Sequence, residues 1–228
     1  MNNKLPTSHP NLLSMPAKQS LIDAMSLSGF ENWRPAVDVP HLNRPLCRPD
    51  DVPGVGRVAA VMILVFGDAP DSSDDGLKLV LTKRNANLSN HAGQISFPGG
   101  RQDEGETLEQ TALRETEEEI GVARNEIEIL GRLNPVYIPP SDFTVTPFVG
   151  WSSNPPHFVR SPDEVAEIIQ APISHLVDPG TLKIGDISTA KGVVKNVPFY
   201  EVNQHRVWGA TAIMLGEFIE RIKQVSHS

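Results

Sequence analysis

Cysteine is almost missing from this chain: Cys47 stands alone in 228 residues. A single thiol closes no internal disulfide, and nothing around it has metal-ligand spacing. That scarcity fits a reduced compartment and leads to a cytoplasmic expectation. Basic stripes are missing too. Lys and Arg total 20 against 28 Asp and Glu, giving a net charge of −8 and a pI near 5.3. Such a balance excludes an electrostatic grip on nucleic acid and argues against residence on an anionic membrane. The longest apolar run, Val58 to Phe66, falls far short of the roughly 20 residues that a spanning helix requires. The opening "MNNKLPTSHPNLL" has no basic region followed by a long apolar one, so no signal peptide is expected. Internal repeats and low-complexity tracts are absent as well.

What the chain does have is enough apolar residue, 39%, for a sizeable core. The expectation is one domain of roughly 150–200 residues plus an extension. Residues 1–56 are rich in proline and read as that extension. It carries one helix, Ala17 to about Ser28, with Pro16 by its first turn and Gly29 past its end. The remainder reads as an arm on the surface or a linker. Two roles fit it, a contact in a homodimer or a cover over substrate.

The domain, 57–228, opens with strand "RVAAVMILVF" and the turn-rich "GDAPDSSDDG", then strand "LKLVLTKR" from Leu77. Further strands are expected over Ile127–Leu133, Thr144–Trp151 and Val193–Val202. A helical or turn-rich segment is expected after Ser161, and a closing helix over Thr211–Lys223. Strands and helices are interleaved, so the fold class is α/β with a mixed sheet.

The densest acid lies in "PGGRQDEGETLEQTALRETEEEIGV", Pro98 to Val122. On a helix from Leu108 to Ile120, Glu115, Glu118 and Glu119 fall at roughly 0°, 300° and 40°. All three share one face. Ala112, Leu113, Thr116 and Ile120 form an adjoining side suited to packing on a sheet, and Glu117 points to water. Crowded carboxylates repel unless a cation neutralises them. All-oxygen ligands suit Mg²⁺ or Mn²⁺, which commonly bridge a few carboxylates to a substrate phosphate. Gly99 and Gly100 let backbone come close to such a ligand, and Arg114 can hold a carboxylate by a forked bond. Taken alone, "ETEEE" reads more readily as a solvated face.

The wider spacing decides between these readings. Gly100, five residues, Glu106, seven residues, Arg114-Glu115, then Glu118-Glu119, one residue and Gly121-Val122 resembles the Nudix box. Thr116 stands where that pattern has an aliphatic residue. The resemblance implies a pyrophosphate-cleaving hydrolase whose mixed curved sheet is sandwiched between helices (α/β/α). It also implies a divalent-metal site at Glu115, Glu118 and Glu119, with a carbonyl from Gly99 or Gly100. Arg114 and Glu106 match positions that pair and support the loop, alongside Gly100 and Gly121. The partner implied is a small nucleoside diphosphate derivative.

Preceding the box, "VLTKRNANLSNHAGQISFPGG" resembles the motif of coenzyme A pyrophosphatases. Three positions depart: Val80 for Leu, Asn85 for Ser or Ala, and Ser89 for Arg. The match makes Arg84, Lys83, His91 and Phe97 candidate substrate contacts. Read from the residues alone, Lys83 and Arg84 fit either phosphate binding or a solvated strand end, and His91 either a donor or a loop cap. Trp208 fits the core or a base-stacking platform. Glu164 and Glu167 fit a further metal ligand, a general base or an exposed helix face. Beside coenzyme A, the substrates NADH and ADP-ribose stay open, as does a silent nucleotide-binding module.

Overall fold

A long unbroken apolar segment is stable in water only when both its faces are covered. Arg57–Gly67 (β1) is such a segment, buried from Ala59 to Phe66. The computed structural model describes residues 17–31, 33–35, 48–50, 56–67, 76–85, 93–189 and 192–226. In it β1 lies inside a mixed sheet. It pairs antiparallel with Leu77–Arg84 (β2) at one end only, Val65 to Gly67 against Leu79 to Leu77. Beyond that the two strands part. Ile95–Ser96 (β3) pairs with β2 and Gly99–Arg101 (β4) with β1, so the segment between them is held in the split. Glu128–Arg132 (β5) and Val136–Ile138 (β6) both pair with Phe143–Ser152 (β7). β7 itself runs parallel to β1.

Helices cover both faces. Leu108–Ile120 (α2) packs on Ala60, Met62, Leu64 and Val80. Gly209–Ser226 (α4) and Ala17–Ser26 (α1) pack on the opposite side, over Ala59, Val61, Ile63, Leu79 and Leu81. The expected α/β/α sandwich is therefore present. Among the described residues, no helix is long and apolar enough to cross a membrane. Leu182–Thr189 (β9), Gly192–Val202 (β10) and His205–Trp208 (β11) form a second sheet, whose Val202 and Val207 reach the same core as α4. Trp208 packs with Ile187 and Phe199 in a small cluster of its own.

The expected early helix stops at Ser26 rather than Ser28. Its Leu21 and Ala24 are fully buried in the main core. Arg221 of α4 bonds the carbonyls of Ala24 and Leu27 at 3.3 Å each, and its guanidinium lies 4.2 Å over the Phe30 ring. Glu217 balances that buried charge at 2.9 Å. Most of the remaining 1–56 lies outside the described residues.

One segment differs from expectation. After Ser161 the chain forms strand Val165–Pro172 (β8) on the outer edge of β2, and only then a short helix, Ile173–Leu176 (α3). Val165, Ile168 and Ile169 are β-branched, and such side chains suit a pleated surface better than a helix. Pro162 and Pro172 bound the run on either side.

Candidate active site

α2 begins where Thr107 and Gln110 cap each other: Thr107 Oγ accepts from Gln110 N at 3.2 Å, and Gln110 Oε1 accepts from Thr107 N at 2.8 Å. It ends at Gly121, whose φ of 75° suits glycine; a Cβ there would lie 2.7 Å from the Val159 side chain. Between the caps, Ala112, Thr116 and Ile120 are buried against the sheet. Thr116 serves in place of an aliphatic residue because its hydroxyl donates to Ala112 O at 2.6 Å. This packing fixes the rotation of the helix. Glu117 is thereby turned to the exterior, where it meets Arg124 at 2.6 Å.

Arg114 gathers the acids on the other side. Its Nε and Nη2 bond the two oxygens of Glu106 at 2.7 and 3.1 Å. Nη1 reaches Glu115 at 2.8 Å and Glu118 at 3.0 Å, and Nη2 also bonds Arg101 O at 3.1 Å. The fork holds the Glu106 carboxyl down at about 2. Gly100 faces Glu115 so closely that a Cβ would sit 2.4 Å from the carboxyl carbon. Gly99, at φ 153°, lies against β1, where a Cβ would meet Ala60 O at 2.4 Å.

Glu119 is the anomaly. It is 2% exposed, and its Oε2 has no hydrogen-bond partner. Burial pushes its carboxyl up to about 8; the nearby Arg84 works against this, Glu115 and Glu164 reinforce it, and a backbone bond at Gly99 offsets a little. Glu115 is also raised, chiefly by burial, with Arg114 opposing and Glu118 and Glu164 adding. A buried, unpartnered carboxylate oxygen beside further carboxylates is the donor set of a hard divalent cation. As placed, Glu115 and Glu118 lean on Arg114, and no three His, Cys, Asp or Glu side chains among the described residues gather round a common point.

The Nudix domain matches residues 56–187, more than half of the chain. The chain belongs to the Nudix family. It is an enzyme of the pyrophosphate-hydrolysing kind, and Nudix hydrolases use divalent metal ions. Nudix hydrolase 3 of Caenorhabditis elegans is 38% identical, over 69% of this chain and 70% of its own. The uncharacterized Nudix hydrolase NudL of Citrobacter koseri is 35% identical, over 86% of this chain and 92% of its own. Among solved structures, the Nudix hydrolase RenU of M. smegmatis aligns with a TM-score of 0.44 and 25% identity, over 54% of this chain and 74% of that one.

Strand alternation separates this Nudix hydrolase's basic pair. Arg84 shares parity with Val80, which faces α2, and its Nη1 lies 3.7 Å from Glu119 Oε1. Lys83 shares parity with Leu79 and Leu81 and is carried to the α4 face, away from the glutamates. Phe97 is corrected as a substrate contact: at 1% exposure it fills the main core and has no surface to offer. His91 and Ser89 lie outside the described residues. Of the pair Glu164 and Glu167, Glu164 lies near enough for its charge to raise the Glu115 and Glu119 carboxyls. Glu167 pairs instead with His205 at 3.2 Å. Spacing alone does not separate the two, because the separation comes from β8 being a strand rather than a helix.

Proposed function

We propose that this Nudix hydrolase cleaves the pyrophosphate of coenzyme A or acyl-coenzyme A. The products are 3′,5′-ADP and 4′-phosphopantetheine or its acyl form. Glu115, Glu118 and Glu119 would hold Mg²⁺ or Mn²⁺, with a backbone carbonyl of Gly99 or Gly100. The observation that carries the metal assignment is the buried, unpartnered Oε2 of Glu119 within a full box. The motif running from Val80 to Gly100 supports the substrate class.

A divalent ion held there would supply charge neutralisation for the diphosphate and would make a water easier to deprotonate. The protein's own groups do the rest. Glu164 stands apart from the helical trio yet close enough for its charge to act on Glu115 and Glu119. It accepts the proton of the attacking water. Arg84 lies at the edge of the same cluster and offers forked N–H donors to a phosphate oxygen. Arg114 keeps Glu115 and Glu118 oriented, and Glu106 anchors Arg114 in turn.

A second reading rests on Ser89, which stands where the resembling motif has Arg. Loss of that cation weakens the grip on the 3′-phosphate and favours NADH or ADP-ribose. A panel of coenzyme A, dephospho-coenzyme A, NADH and ADP-ribose with Mg²⁺ or Mn²⁺, read by product mass, separates the two. If Ser89 weakens the 3′-phosphate grip, coenzyme A and dephospho-coenzyme A should be cleaved with similar kcat/KM. Ser89→Arg should then favour coenzyme A by roughly 10- to 150-fold, the worth of one charge-assisted hydrogen bond. Cleavage of NADH or ADP-ribose alone would overturn the coenzyme A assignment and leave the family intact.

A further inference from the structure

The carboxylate of Glu164 belongs to no regular element. It sits in the turn that leads into β8, beside the C-terminal end of α2, so something else must fix its place. The turn is pinned at its start, where Ser161 N donates to Glu119 O at 3.0 Å, and it closes on itself, with Val165 N on Ser161 O at 2.9 Å. Those bonds tie it to α2 but not to the sheet. At the end of β2 the ladder with β8 is irregular: Lys83 faces Glu167 and Arg84 faces Val165, so Ala166 is extra. Beyond that bulge stands Asn85. Its backbone N donates to Glu164 O at 2.8 Å, and its side-chain Nδ2 donates to Pro162 O at 2.9 Å.

We infer that Asn85 is a positioning residue: its two bonds clamp the 161–164 turn to β2 and set Glu164 against the box glutamates. The inference rests on the reading of Glu164 as the proton acceptor. Proline at 162 has no N–H and a fixed φ, so its carbonyl is the part of that residue open to capture. One bond alone would leave the turn free to rock about it. Pro162 and Glu164 flank Asp163, and with both carbonyls held the backbone on either side of Asp163 is fixed relative to β2.

The test is a double-mutant cycle on kcat and KM, using whichever diphosphate of the panel is cleaved fastest at saturating Mg²⁺. Asn85→Ala should lower kcat about tenfold with KM unchanged, since one hydrogen bond that orients a proton acceptor is lost. Added to Glu164→Gln it should cost nothing more, because the group it positions has already lost its function. Asn85→Ser, which keeps the backbone bond and is too short for the Pro162 bond, should behave as Asn85→Ala. Melting temperatures of all variants show whether they are folded, and the Ser variant decides if the Ala variant is not. A full additive loss in the Glu164→Gln background, or wild-type kcat in both Asn85 variants, overturns the positioning role alone. Wild-type kcat in Glu164→Gln overturns the proton-acceptor reading and this inference with it.

Discussion

Glu119→Gln should lower kcat by about 10²- to 10³-fold, the several kcal/mol that a metal ion contributes to charge stabilisation at tenfold per 1.36 kcal/mol. The fold should survive, because the amide fills the same space and carries no charge to bury. In chelator the variant should even melt higher than the wild type. A carboxyl at about 8 in the folded chain against 4.5 in the unfolded chain is a liability that grows with pH. It is absent below about pH 4.5, grows as pH rises, and is complete above about pH 8. By pH 7 it amounts to roughly 3 kcal/mol. The melting advantage of Glu119→Gln should therefore be clear at pH 7.5 and gone near pH 4.5. Equal melting at both pH values would mean that the wild-type carboxyl is not held in a costly environment.

Glu164→Gln is the second large effect. Removing a proton acceptor costs about 10²- to 10⁴-fold in kcat, with KM nearly unchanged, because the group acts on water and not on substrate binding. Its dependence on Mg²⁺ should stay that of the wild type, since the trio on α2 is untouched. A raised Mg²⁺ requirement with kcat restored at high Mg²⁺ would make Glu164 a metal ligand and not the proton acceptor.

The box is legible in the sequence because its chemistry is local. Glu115, Glu118 and Glu119 share a helical face by spacing alone, and the glycines at 99, 100 and 121 stand where a side chain would collide. Glu106 and Arg114 are eight residues apart, and their pairing follows from the family pattern. What is not legible depends on contacts between distant segments. Arg221 meets Ala24 and Phe30 across almost the whole chain, so nothing near α1 shows that it belongs to the core. β8 escapes a sequence reading because a short apolar run fits helix and strand alike, and with it the fates of Glu164 and Glu167 stay joined. The opposite directions of Lys83 and Arg84 follow from the two-residue period of β2. Which direction leads to the glutamates depends on the face that α2 covers. β9 offers little to a sequence reading, because Leu182, Ile184 and Ile187 do not keep a two-residue period and Ile184 is exposed.

Mn²⁺ binding, followed by the loss of free-ion EPR signal during titration of chelator-treated protein, tests most directly whether the α2 carboxylates hold the metal. The wild type should bind, and Glu119→Gln should bind at least about tenfold more weakly, the smallest loss seen even for residues that only support a ligand. Equal Mn²⁺ affinity in the two proteins would contradict the assignment of the metal to Glu115, Glu118 and Glu119.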